Sequence, residues 1–258
     1  MSSETLFLDH DLISQRYFFP RDDSFPHAFA IPCEGGISLV CRYFQIPGVA
    51  LEDAKTMVHF HGNGEVVSDY FGPFKDTILR MGVHLLLVEY RGYGSSTGIP
   101  SLVGILEDTS HIFRAIGKKA EDLIVFGRSI GSIYAIDFAH CYPDVAGLIL
   151  ESGIADPLER VLLRVSPAEL GTDLERLESE SSRFLDHQRK LESFHNPLLV
   201  LHTEHDGLVD RSHADRNFKW CASEKKQLLV FENGTHNSIL YTNWDEYMDT
   251  IGSFIRSL

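Results

Sequence analysis

Gly127-Arg128-Ser129-Ile130-Gly131 sets a serine between two glycines, a spacing that can turn a hydroxyl into a nucleophile. A serine hydroxyl is weak at its own pKa and attacks only when a neighbouring base takes its proton. The pentapeptide is short, and its surroundings give it meaning. An apolar run at residues 123–126 precedes it, and a helix-period segment follows from Ile130 to about Tyr142, where Pro143 stops it. A strand–turn–helix of this kind thrusts the serine Oγ outward, and glycines at both ends let strand and helix approach. The helix start presents unpaired N–H groups, so the Ile130 N–H is placed to receive a developing oxyanion.

The partners this chemistry needs are found elsewhere. His61-Gly62-Asn63-Gly64 follows a buried apolar run, and the loop can supply a second oxyanion donor; Asn63 is the expected residue, with Gly64 as the alternative. His59 and His61 alternate on the same strand, but Gly-Asn-Gly follows where further Asp and His ligands would complete a metal site. No metal is expected, and His61 is read as bracing its loop. Asp206 lies just beyond a strand at residues 197–202, with Glu204 and Asp210 as lesser candidates. His236, among 13 histidines, is singled out by its loop after the last strand, which completes the order Ser…Asp…His. His236 would take the Ser129 proton and return it to the leaving group, while Asp206 fixes the imidazole tautomer and stabilises the imidazolium.

Alternating strand and helix patterns are needed to bring these residues together. A hairpin is expected at residues 28–32 and 37–44, turned at Glu34-Gly35-Gly36. Further strands are read at 56–61, 83–89, 123–126, 146–151, 197–202 and 226–231. Helices are expected at 68–81, after Ser101 as cap, and at the C-terminus behind an Asn243/Glu246 capping box. Residues 155–195 are helical and charged, and far longer than one crossover requires. They are read as a cap inserted into a single domain spanning 1–258.

Composition narrows the function classes. The formal net charge of −14, without a basic cluster, argues against nucleic acid and against anionic membranes. No apolar stretch is long enough to span a bilayer, and residues 1–11 lack a basic targeting segment. Cys33, Cys41, Cys141 and Cys221 are scattered, as free thiols in a reducing compartment would be, though Cys33 and Cys41 could face each other across the hairpin. The expectation is a cytoplasmic protein with no cofactor, no stable membrane anchoring and a small-molecule acyl substrate.

These residues resemble the α/β-hydrolase superfamily, in the branch of small abhydrolase-domain esterases, acyl-protein thioesterases and monoacylglycerol lipases. The resemblance runs from Phe18-Phe19-Pro20-Arg21 through His61-Gly62-Asn63-Gly64, Tyr90-Arg91-Gly92-Tyr93-Gly94 and Gly98-Ile99-Pro100. It continues through the Ser129 turn, the Asp206 loop and the His236 loop. It implies an α/β fold with a mainly parallel eight-stranded sheet, helices on both faces and a small helical lid at 155–195. It also implies hydrolysis of an ester, thioester or amide through an acyl-enzyme, with Arg91 as a scaffold residue. An aminopeptidase or amidase is the close alternative, and a non-catalytic ligand receptor on the same fold a more distant one. Glu65 and Arg128 depart from a simple lipase and would lend the site charge. The N-terminus has no cysteine cluster for lipid attachment, which argues against depalmitoylation at a membrane.

Overall fold

The computed structural model describes residues 6–258; residues 1–5, part of the stretch read as free of targeting signals, lie outside it. Helix α1 (Asp11–Tyr17) precedes a hairpin of β1 (Phe29–Pro32) and β2 (Ser38–Phe44). Gly35 and Gly36 turn it at φ 68° and 77°, where a side chain would be strained. Six more strands follow: β3 (Thr56–Phe60), β4 (His84–Val88), β5 (Leu123–Arg128), β6 (Gly147–Glu151), β7 (Leu198–Thr203) and β8 (Lys226–Phe231). They form an eight-stranded sheet in the order β1-β2-β4-β3-β5-β6-β7-β8. The pairings of β1 with β2 and of β2 with β4 are antiparallel, and the others are parallel.

Every residue of β3 to β7 is buried, which is why these segments read as continuous apolar runs. Alternate residues feed two cores. Val58, Leu86 and Val125 pack on one face with α3 (Leu102–Ile116) and α4 (Gly131–Cys141). Met57, Leu85 and Ile124 pack on the other. That second core is closed by Phe74 and Ile78 of the short helix α2 (Pro73–Arg80), and by Tyr247 and Ile251 near the C-terminus. This is the α/β-hydrolase fold. The four cysteines are free thiols, Cys41 deep in the first core. Among the described residues no helix is long and apolar enough to cross a membrane.

Three local expectations are corrected. The helix expected at 68–81 is divided: Val67–Tyr70 is a 3-10 turn, Gly72 at φ 82° breaks the path, and the α-helix runs only from Pro73. Ser101 makes no side-chain cap on α3; Asp9, 94 residues away in sequence, accepts from the Val103 N–H at 2.8 Å instead. The C-terminal helix (Trp244–Arg256) has no capping box, because Asn243 donates its amide to the carbonyls of Asn233 and Ile239.

Residues 155–195 hold three helices, Pro157–Leu162, Leu174–Phe184 and His187–Glu192. The first begins as its sequence requires, with Asp156 accepting from the Glu159 N–H at 3.0 Å and proline in the first turn. Val161, Val165, Leu170, Leu177, Leu185 and Leu191 of this segment join the first core directly.

Candidate active site

The sheet order reverses direction between β3 and β5, and in an open α/β sheet the crevice beyond that switch is where ligands bind. Phe60 of β3 is in register with Gly127 of β5, so the loops carrying Asn63 and Ser129 leave the sheet side by side. Asp206 and His236 follow β7 and β8 at the same edge, where Thr203 is paired with Phe231. The Thr203 hydroxyl donates to the Gly234 carbonyl at 3.0 Å and so draws the His236 loop inward.

Ser129 sits at φ 51°, a left-handed conformation costing a non-glycine residue about 1–3 kcal/mol. Its surroundings enforce it: the Ser129 N–H donates to Glu151 O at 2.8 Å, and the Ser132 hydroxyl donates to Ser129 O at 2.6 Å. The flanking glycines are required by contact. A Cβ on Gly127 would lie 2.6 Å from Ala135 Cβ, and one on Gly131 would lie 2.2 Å from the Phe60 carbonyl oxygen.

Ser129, His236 and Asp206 form one hydrogen-bonded chain. His236 Nε2 lies 2.9 Å from Ser129 Oγ, and His236 Nδ1 lies 2.7 Å from Asp206 Oδ2. The other oxygen of Asp206 accepts from the N–H groups of Leu208 at 2.9 Å and Val209 at 2.8 Å. Burial acts to raise the Asp206 pKa, but the His236 contact and these two amides outweigh it and hold it at about 2. The carboxylate is therefore ionised and can accept only from Nδ1–H, which leaves Nε2 free to take the serine proton. Glu204 instead pairs with Arg211 at 2.6 Å, and Asp210 caps the helix Arg211–Trp220 through the Ser212 N–H. Neither makes a hydrogen bond or ion pair with His236, whose ring partners are Asp206 and Ser129.

The main-chain N–H groups of Asn63 and Ile130 have no partner among the described residues, and both residues line the cavity in front of Ser129. Gly64 does not line it. The Asn63 side chain is consumed in placing its own backbone: it accepts from Phe19 N–H and Tyr93 OH, and donates to Tyr17 O. Below it, each ring nitrogen of His61 faces an oxygen acceptor, one a carbonyl and the other a carboxylate. Nδ1 lies 2.8 Å from Gly62 O and Nε2 2.7 Å from Glu89 Oε1. Both nitrogens face acceptors, so the imidazolium is the form that satisfies them. Burial alone would lower the His61 pKa, yet the Glu89 carboxylate raises it above its ordinary value. His59, by contrast, has neither ring nitrogen bonded and is held well below its ordinary pKa, first by burial. Among the described residues no group of three His, Cys, Asp or Glu side chains could hold a metal ion.

The charge expected from Glu65 and Arg128 turns inward. Arg128 is buried and bonds Glu65 at 2.6 Å, Glu151 at 3.0 Å and the carbonyl of His236 at 2.9 Å. Tyr247 OH donates to the second oxygen of Glu151, and Tyr70 OH to Glu65 at 2.6 Å. This network is a brace beneath the loops. Arg91 is likewise engaged away from the cavity, in a two-point pair with Asp108 at 2.7 Å.

The cavity holds about 170 Å³. Beyond Ser129, His236 and the two amides, its walls include Phe19 of the Phe18-Phe19-Pro20-Arg21 motif, and Tyr17, Arg160 and Arg164, for which no role was expected. A signal was present for the arginines: four residues apart, they fall on one side of the helical turn whose other side is Leu158, Val161 and Val165.

A family model described as Serine aminopeptidase, S33 matches residues 52–175, a span that includes Asn63 and Ser129 but stops before Asp206 and His236. The chain is 24% identical over 212 residues to Uncharacterized protein YfhR of Escherichia coli (strain K12), covering 78% of this chain and 70% of that one. It is 29% identical over 209 residues to Alpha/beta hydrolase domain-containing protein 17C of Mus musculus, covering 78% and 59%. Among solved structures, Pyrococcus furiosus esterase Pf2001 shares the fold with a TM-score of 0.71 at 18% identity, over 93% of this chain and 98% of that one.

Proposed function

We propose that the chain, a member of the α/β-hydrolase superfamily, is a serine hydrolase that cleaves carboxylic esters of small acyl groups through an acyl-enzyme. The observation that carries this reading is the continuous chain from Asp206 through His236 to Ser129 Oγ, at 2.7 Å and 2.9 Å. In the acylation step, Ser129 Oγ bonds to the acyl carbon while its proton passes to His236 Nε2. The oxyanion formed is held by the N–H groups of Asn63 and Ile130. His236 then protonates the departing alkoxide or thiolate, and a water activated by the same nitrogen releases the acid. No metal or cofactor enters these steps. The 170 Å³ cavity is small against the roughly 300–1,000 Å³ of drug-sized sites, which favours a short acyl group. The four free thiols fit a reducing compartment, and we assign the protein to the cytoplasm on that ground.

The matching family model carries an aminopeptidase description. An aminopeptidase must seat a free ammonium group beside its nucleophile, and two guanidinium groups with no carboxylate line this cavity. Ester cleavage is therefore the preferred reading. The test is fluorophosphonate labelling mapped to a peptide, alongside a panel of p-nitrophenyl esters and aminoacyl amides. Labelling of Ser129 and ester turnover abolished by Ser129→Ala are expected. Ester turnover that survives the substitution would refute the assignment.

A further inference from the structure

The cavity in front of Ser129 is lined by two arginines that make no side-chain hydrogen bond or ion pair among the described residues. Arg160 and Arg164 lie one helical turn apart, where the Arg164 N–H closes onto Val161 O at 2.8 Å. Arg160 makes no hydrogen bond or ion pair among the described residues. Among the described residues the Arg164 side chain has only the ring of Phe19, 5.8 Å away. The carboxylates able to neutralise them are taken: Glu159 by Arg216 at 3.1 Å, Glu169 by Arg16 at 2.8 Å, and Asp156 by the start of its own helix. In a chain of net charge −14, most cations of a functional wall would find an acid. This pair, Arg160 half-buried and Arg164 exposed, lines the cavity that holds Ser129.

Tyr17 lines the same cavity as the two arginines and Ser129. Its hydroxyl makes no hydrogen bond among the described residues, and its ring is buried beside the cavity. Burial pushes this phenol up, and the charges of Arg160 and Arg164 draw it back, so both guanidinium groups act on the same small space. A phenol donor and two forked cations around one pocket match an oxyanion in geometry and charge.

We propose that Arg160 and Arg164, with Tyr17, form an anion subsite, and that the substrate is an ester or thioester whose acyl or alcohol part bears a carboxylate or a phosphate. The assignment deepens the hydrolase reading and rests on it for the word substrate; the subsite itself can be tested apart. Arginine suits the role because its charge persists at any working pH and its fork meets two oxygens at once. The subsite also accounts for the modest cavity: one end of the ligand is read by charge, and little apolar volume is needed.

The experiment compares p-nitrophenyl hydrogen glutarate with p-nitrophenyl glutaramate, which has the same length and a neutral end. The ratio of their kcat/KM values is read in the wild type, in Arg160→Gln/Arg164→Gln, and in Arg160→Lys/Arg164→Lys. A preference of about tenfold or more for the anionic ester is expected, as charge-assisted hydrogen bonds supply. It should collapse toward unity in the glutamine variant and survive in part with lysine. Equal turnover of both esters by the wild type, or a preference unchanged by the glutamine pair, overturns the subsite. In parallel, Ser129→Ala is titrated calorimetrically with monomethyl glutarate, methyl glutaramate and propyl phosphate. Binding of either anion but not the neutral amide, lost in the glutamine background, supports the subsite, and the tighter anion identifies the group. Absence of anion binding overturns it. If the anions bind while the wild type turns over neither ester and Ser129 resists fluorophosphonate, the subsite stands and the hydrolase reading fails.

Discussion

Asp206 receives three hydrogen bonds, from His236 Nδ1, Leu208 N–H and Val209 N–H, and none of its oxygens is exposed. Those donors favour the charged form, so the folded-state pKa of about 2 lies below the ordinary 3.8. A depressed carboxylate stabilises the fold fully above its unfolded pKa and loses that contribution as pH falls through the folded one. The wild type should therefore lose about 2 kcal/mol of stability between roughly pH 4 and pH 2 on this account alone. Asp206→Asn should show a flatter acid limb when denaturant midpoints are followed over the same range. An equally steep limb in the variant would count against the pairing. The same substitution keeps the shape of the contact but presents N–H to Nδ1, which favours the wrong tautomer. For ester turnover we expect kcat to fall by about 10⁴-fold. His61 is the opposite case. Its pKa is raised, so its contribution is present below the unfolded value of about 6.5 and is lost as pH rises through the folded value.

At the scale of elements, Arg128 joins the ends of four strands. It leaves β5 and holds Glu65 in the loop after β3, Glu151 at the end of β6, and the His236 carbonyl in the loop after β8. Removing one member of such a buried set strands the remaining charges, at a cost of about 3–5 kcal/mol. Arg128→Met should lower the denaturation midpoint accordingly. Arg128→Met/Glu65→Gln/Glu151→Gln should recover much of the loss, since the orphaned charges go too. Gly131→Ala tests the turn itself. Its Cβ would meet backbone at 2.2 Å, where no side chain can yield, so a loss of several kcal/mol and of fluorophosphonate labelling is expected. A stable, fully labelled variant would mean that strand and helix are not held this closely. The contrast with other elements shows what a sequence displays. β3 to β7 were legible as buried runs, and the Ser129 turn was legible because glycine and serine spacing is a local property. The cap on α3 was not, since Asp9 reaches Val103 only through the tertiary fold. Nor was the engagement of Asn243, whose amide is drawn to Asn233 and Ile239 before it can serve a capping box. Arg128 was legible as a charge beside the nucleophile, but its inward direction depends on Glu151, a strand away.

For the whole molecule, the open question is whether residues 155–195 move as a lid. A flap that opens must detach little apolar surface, because regions of low local stability make few buried contacts. This segment does the reverse. Eight of its apolar side chains share the core of the central sheet, and Lys190 reaches across to Asp137 of α4 at 2.5 Å while both are largely buried. The cavity is already bounded by Arg160 and Arg164 from the segment's first turns. We therefore expect a fixed wall, with substrate entering past exposed Phe19 and Leu208. Two measurements follow from that difference. Amides of residues 157–165 and 187–192 should exchange hydrogen at the rate of global unfolding, as the β5 and β6 amides do. Ester turnover should follow a simple saturation curve, with no jump as a substrate passes its solubility limit. Exchange of the inserted helices well ahead of the sheet, together with activation at a substrate interface, would establish a mobile lid instead. The wall would then have to open for the arginines to meet their ligand, and the anionic ester would bind with a slow phase absent from a preformed site.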